Sequence, residues 1–207
     1  MSEPNGWRWL PLSAGVILVD QLTKLEIVKN FELYERVEVL PVLDITRLHN
    51  TGAAFSMLAD ASGWQRWFFT ILALGVGVAI VWWLGKLKAK SQALLACSLS
   101  LILAGALGNL IDRLRLGHVI DFIHAHWGDA YFAAFNVADS AITIGAGLLL
   151  LDALLESRRS KTRHAPSPPA SSPHAPSWPA PSRRADAGDP SDVRPANDKA
   201  DSKEASS

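Results

Sequence analysis

The chain has 207 residues, with 20 basic and 20 acidic side chains and a formal net charge of zero. That balance gives no ground for nucleic-acid binding, and a single cysteine, Cys97, excludes an intrachain disulfide. The averages join two unlike segments: residues 157–207 hold nine of the twelve prolines, have no Leu, Ile or Phe, and carry +3 against −3 for residues 1–156.

A bilayer core takes about 20 mostly apolar residues in helix. The first candidate span covers about residues 9–28. Trp9 to Val19 is apolar, and the helical pattern continues through Leu22, Leu25 and Val28, so this span carries Asp20 and Lys24 inside it. A cleaved signal peptide is the alternative, but the sequence after the apolar run is Asp20-Gln21-Leu22-Thr23-Lys24, with no small-residue cleavage site. Residues 29–63 form a first loop. Within it Arg36-Val37-Glu38-Val39 and Leu43-Asp44-Ile45-Thr46-Arg47-Leu48 alternate on either side of Pro41. Period-two alternation predicts half-buried strands, here a small antiparallel sheet on the outer membrane surface. Ser62 with Gln65 predicts a capping box opening the second helix.

Trp67 to Gly85 then supplies 19 uncharged residues and Ser91 to Ile111 supplies 21, the second and third spans. Residues 112–136 form a second loop. The fourth span covers about 137–155, with Asp139 near one end and Asp152 near the other. The expected architecture is a membrane all-α protein. A four-transmembrane-helix bundle occupies residues 1–156, with a small β-sheet on its outer (periplasmic) surface. Residues 157–207 are too poor in apolar groups to offset their ordering entropy and are expected to form a disordered cytoplasmic tail.

Short loops rich in Lys and Arg stay in the cytoplasm. Lys86-Leu87-Lys88-Ala89-Lys90 and the basic run after Glu156 therefore face inward, as does Arg8 at the amino end. Both termini are expected to be cytoplasmic and both long loops outward. Trp7, Trp9, Trp64, Trp67, Trp82, Trp83 and Trp127 fall at or near the expected interfaces, as an aromatic belt requires.

Ionisable groups at membrane depth are costly, so each is a candidate for function. The orientation sends Asp20, Asp112, Asp121 and Asp139 to the outward side, together with Asn50, Asn109, Arg113 and Asn136. Each also has a purely structural reading. Asn136 followed by Asp139 resembles a helix amino-terminal cap. Asp112-Arg113 reads as a surface ion pair, and Asp20 and Lys24, at i and i+4, as a pair with each other. Asp121 is harder to place this way, because Val119-Ile120-Asp121-Phe122-Ile123 isolates one acid in an apolar pentad. Two close carboxylates cannot both ionise and therefore share a proton, which suits aspartyl proteolysis: one member takes a proton from water and the other polarises the scissile carbonyl. That chemistry needs no cofactor and no metal. His118, His124 and His126 flank Asp121 but follow no closed zinc spacing, and read as interfacial histidines. Gly75-Val76-Gly77 is a helix contact rather than a phosphate loop, and Cys97 reads as packing.

The motifs resemble, in order, those of the bacterial lipoprotein signal peptidase family, also called signal peptidase II. They are Asp20-Gln21-Leu22-Thr23-Lys24, Asn50-Thr51-Gly52-Ala53-Ala54-Phe55-Ser56, Gly105-Ala106-Leu107-Gly108-Asn109-Leu110-Ile111-Asp112-Arg113, Val119-Ile120-Asp121-Phe122 and Phe135-Asn136-Val137-Ala138-Asp139-Ser140. The resemblance covers residues 9–156. It implies an aspartic endopeptidase of the bacterial inner membrane, acting as a monomer among membrane lipids. It also implies a substrate: a diacylglyceryl-modified prolipoprotein, cleaved just before its lipidated cysteine. It makes Asp121 and Asp139 the catalytic pair, and Asn50, Gly52, Asn109, Arg113, Asn136, Asp20, Lys24 and Asp112 residues that bind substrate or support the site. The long tail departs from the family, whose members usually stop soon after the fourth span. The presenilin-type Gly-x-Gly-Asp signature is absent. A reading from another class, a small proton- or cation-coupled transporter, predicts acids spread through the membrane depth or an internal repeat.

Overall fold

A computed structural model describes residues 3–52, 64–128 and 130–163. Among them are four long helices and four strands. A 3-10 turn at Gly6–Trp9 leads into α1 (Leu10–Asn30), followed by β1 (Arg36–Leu40), β2 (Leu43–Asn50), α2 (Trp64–Lys86), α3 (Ala93–Leu116), β3 (Val119–Trp127), β4 (Ala130–Tyr131) and α4 (Val137–Arg163). The expected capping Ser62 lies outside the described residues, as do residues 164–207 of the expected tail. The first seven residues assigned to that tail instead continue α4 as helix.

Three helices, α2, α3 and α4, are long and apolar enough to cross a membrane. The first expected span is helical, but α1 does not belong to that set. Asp20, Lys24, Glu26 and Lys29 lie within it, and Asp20 and Lys24 are buried. The helices are not equivalent. In α3, 56% of the most apolar stretch is buried within the protein, against 22% for α2 and 17% for α4. The third helix is therefore the axis, and α1, α2 and α4 pack around it. The outer helices present Ile71, Val78, Ile144 and Leu150 outward, the surface a bilayer would cover.

Close packing on α3 depends on small residues. A Cβ at Gly105 would stand 2.2 Å from the carbonyl oxygen of Ala138, and one at Gly108 would stand 2.7 Å from Asp20 Oδ2. These two glycines bring the first turn of α4 and the middle of α1 against the same stretch of α3. At the opposite end, the amino-terminal segment binds the α2–α3 link. Gly6 N–H donates to Leu87 O at 3.0 Å, Ala89 N–H to Pro4 O at 2.9 Å, and Lys90 and Ser91 N–H groups to the Glu3 carboxylate.

The sheet is antiparallel throughout, in the order β1-β2-β3-β4. The two expected strands are present, but the buried face of β2 is the polar one. Asp44 and Thr46 are buried while Leu43 and Ile45 are partly exposed. The reason is local satisfaction. Asp44 pairs with Arg36 and approaches His126, and Thr46 Oγ1 donates to Glu35 O at 2.8 Å. The apolar side chains of β1, Val37 and Val39, are exposed. The third strand carries no period-two signal, because Val119 to Phe122 is buried on both faces. Its register with β2 changes between Ile45 and Leu48, so that Leu48 faces Asp121, His49 faces Ile120 and Asn50 faces Val119.

Candidate active site

Three segments deliver the site. Helix α3 ends at Gly117, whose φ of +84° reverses the chain and sends it into β3, with Asp121 three residues in. On the other edge of β3, Phe135 makes backbone hydrogen bonds with Ile123 in both directions, at 2.8 and 2.9 Å. That bridge places the next residue, Asn136, beside Asp121 just as α4 begins. Strand β2 brings Asn50 to the opposite flank of Asp121.

Asn136 is fully buried and touches both acids. Its Nδ2 donates to Asp121 Oδ1 at 2.7 Å, and its Oδ1 accepts the backbone N–H of Asp139 at 3.0 Å. Asp139 Oδ2 accepts the backbone N–H of Asn136 in return, at 3.2 Å. Asn109 Nδ2 donates to Asp139 Oδ1 at 2.8 Å, and Asn50 Nδ2 donates to Asp121 Oδ2 at 2.9 Å. Gly52 N–H donates to Asn50 Oδ1 at 2.8 Å, which sets the amide's orientation, and the φ of +93° at Gly52 lies in the region glycine favours. Asp121 is buried. Burial pushes its carboxyl up to about 6, the Asn50 amide opposes this, and the nearby Asp139 charge adds to the rise.

Beneath this layer lies a buried ionic cluster. Lys24 Nζ is 2.8 Å from both Asp20 Oδ2 and Asp112 Oδ2, and 3.1 Å from Asn109 Oδ1. Asp20 Oδ1 accepts the N–H of Ala138 in the first turn of α4, at 2.9 Å. The cluster therefore holds the amino end of α4 and orients Asn109, whose Oδ1 is taken by Lys24 and Asn136 so that its Nδ2 faces Asp139. Gln21 joins it, donating to Asp112 Oδ1 at 2.9 Å and to Gly108 O at 3.3 Å. Counting only ionisable groups passes over this residue, but a part-buried amide at that place also needs partners.

Arg113 does not touch either carboxylate. Its guanidinium lies over the Phe69 ring at 5.1 Å, and Nη1 reaches Asn109 O at 3.4 Å. A groove of about 380 Å³ between α2, α3 and α4 runs past Phe69, Val76 and Ile142 to Asn109, Arg113 and Asp139. A second, of about 440 Å³, meets Asp139 beside Phe135, Ser140 and Ile144. The three histidines near Asp121 are dispersed: His118 stacks on His49, while His124 and His126 lie beside Tyr131.

A family model described as signal peptidase (SPase) II matches residues 12–155. The chain belongs to the signal peptidase II family. Its relatives include proteins named lipoprotein signal peptidase from Shewanella pealeana, 46% identical over 77% of this chain and 93% of that one, and from Ectopseudomonas mendocina, 50% identical over 74% and 91%. A third, from Pseudomonas fluorescens, is 48% identical over 77% and 93%. Two solved structures described as bacterial membrane enzymes are also similar. One is 33% identical with a TM-score of 0.67, covering 81% of this chain and 99% of that one. The other is 34% identical with a TM-score of 0.65, covering 74% and 97%. The matched region takes in the sheet, α2, α3, nearly all of α1 and most of α4. Nothing in the fold or the comparisons supports the transporter alternative.

Proposed function

We propose that this signal peptidase II family member is a membrane aspartyl endopeptidase that removes signal peptides from diacylglyceryl-modified prolipoproteins, cutting just before the lipidated cysteine, with Asp121 and Asp139 as its catalytic pair. The observation that carries the assignment is Asn136, which is fully buried and donates to both carboxylates, through its side-chain amide to Asp121 and through its backbone N–H to Asp139. Asp121, raised by burial, holds the shared proton and donates a hydrogen bond to the scissile carbonyl. Asp139, accepting from Asn109 and from the Asn136 N–H, takes the proton from a water as its oxygen attacks the carbonyl carbon. The tetrahedral intermediate collapses as a proton passes to the leaving nitrogen, and the pair returns to its singly protonated state.

In this reading α1 also crosses the membrane, which makes four spans with α2, α3 and α4. Its buried charges face α3, where Lys24 pairs with Asp20 and Asp112, rather than lipid. The Lys86–Lys90 link and the basic end of α4 lie on the cytoplasmic side, and the sheet with the dyad lies on the outer side. The substrate's acyl chains then stay in the bilayer while its peptide reaches the acids through the grooves that meet Asp139.

The test is cleavage of a diacylglyceryl-modified prolipoprotein by the reconstituted protein. Asp121→Asn and Asp139→Asn are each expected to abolish it. Undiminished cleavage by either variant overturns the dyad, and equal cleavage of the unlipidated precursor overturns the substrate.

A further inference from the structure

The last three pairs of the β2–β3 ladder lie beyond the register change between Ile45 and Leu48. The regular part of the sheet therefore does not set their alignment. Two diagonal contacts cross this segment on opposite faces, as the period-two geometry of strands requires. On one face Asn50 reaches Asp121 at 2.9 Å. On the other, the His49 and His118 rings stack with centroids 3.8 Å apart and planes 23° apart. The two pairs are adjacent in sequence on β2, so a slip of one residue would break both.

We propose that the His49–His118 stack is the positioning element that holds Asn50 on Asp121, and that it works only while both imidazoles are neutral. It rests on the dyad reading above and adds two residues that touch neither carboxylate. Protonating both rings would place two like charges in van der Waals contact. Arg47 already acts on both rings as a third cation, and only Asp112 and a backbone hydrogen bond at Leu116 oppose it, at His118. Burial above all holds both imidazoles below their ordinary value; at His49 the neighbouring His118 and Arg47 add to it, and at His118 Arg47 adds a smaller push against the opposing Asp112, so the stack is neutral at pH 7. Acidification then frees the end of β2 and with it the amide that Asp121 accepts.

The experiment uses the full chain in the lipidated-prolipoprotein assay. His49→Ala is expected to lower kcat about 10-fold, the scale of a small displacement at a reacting centre, with KM changed less than kcat. The stack-preserving double variant His49→Phe/His118→Phe recovers most of that loss. The acid limb of the wild-type profile is shared with the dyad. The difference between wild type and the Phe pair isolates the imidazoles: the Phe pair falls off less steeply between pH 7 and 5. An identical acid limb in both overturns the neutrality requirement. A cycle with Asn50→Ala covers loss through misfolding. In that background His49→Ala adds little further loss of kcat if it acts through Asn50, whereas fully multiplicative losses overturn the proposal. Failure of the dyad reading registers separately, as cleavage surviving in Asp121→Asn.

Discussion

Asn136 and Asp139 cap each other: the Asn136 side-chain oxygen takes the Asp139 N–H at 3.0 Å, and the Asp139 carboxylate takes the Asn136 N–H at 3.2 Å. This is a reciprocal capping arrangement at the start of α4. Helix cap and candidate catalytic acid are thus one residue with two duties, since Asp139 Oδ1 remains on Asn109 and its side chain opens to both grooves.

The two duties are separable. Asn136→Ser keeps an oxygen able to accept the Asp139 N–H but cannot reach Asp121. It is expected to leave thermal stability within about 1 kcal/mol, the usual worth of a cap. Cleavage should fall by about 100-fold, the scale of a small misplacement at the reacting atoms. Parallel measurement of unfolding in detergent and of kcat checks this. Retention of both stability and kcat would mean that Asn136 matters only as a cap.

Asp121 makes stability depend on pH. Its carboxyl is raised in the folded protein from 3.8 to about 6, so the folded state binds this proton more tightly than the unfolded chain does. The corresponding stabilisation is complete below pH 4 and is lost as pH rises towards 6. At about 1.4 kcal/mol per pH unit, that interval bounds the loss at about 3 kcal/mol. Asp121→Asn cannot ionise and escapes it. The variant, though inactive, should therefore gain stability over wild type between pH 4 and pH 7, by several degrees in a thermal scan. A difference in melting temperature that does not change with pH would refute the assignment of this proton.

Lys24 lies between the buried Asp20 and Asp112, at 2.8 Å from each. Lys24→Met leaves two buried carboxylates without it and should cost about 3–5 kcal/mol, the range for breaking a buried pair from one side. Adding Asp112→Asn should restore part of that loss. Activity should fall as well, because Asn109 loses one of the donors that orient its amide toward Asp139. Thermal unfolding of the single and double variants checks the sign.

What could be read in advance follows from what bilayer physics exposes. Acids set in apolar runs are conspicuous, so Asp20, Asp112, Asp121 and Asp139 could be picked out from their surroundings, and the structure joins them through Lys24, Asn109 and Asn136. Features that depend on tertiary partners were not legible in the same way. The alternation around Asp44 marks a strand, but only Arg36 and His126, eight and 82 positions away, make its acid the buried side. Strand β3 is buried on both faces and so lacks the alternation that would show it. Gln21 needed the geometry of α3 to reveal its place beside Asp112.

The contact between α3 and α4 offers a test that changes no polar side chain. A Cβ at Gly105 would meet the Ala138 carbonyl oxygen at 2.2 Å and Ile142 Cγ1 at 2.5 Å. Backbone cannot swing aside as a side chain can, so α4 must move away from α3 in its first turn. Asp139 follows Ala138 directly, and its bond to Asn109 on α3 spans this same interface. Gly105→Ala should therefore lower kcat at least about 10-fold while the helices remain intact, because displacements well under 1 Å at a reacting group suffice for that. Gly147→Ala on α4 is the control, since a Cβ there meets nothing within 4 Å. Circular dichroism and cleavage rates for the two variants distinguish a displaced acid from a lost fold. If both retain wild-type rates, α3 does not set the position of Asp139.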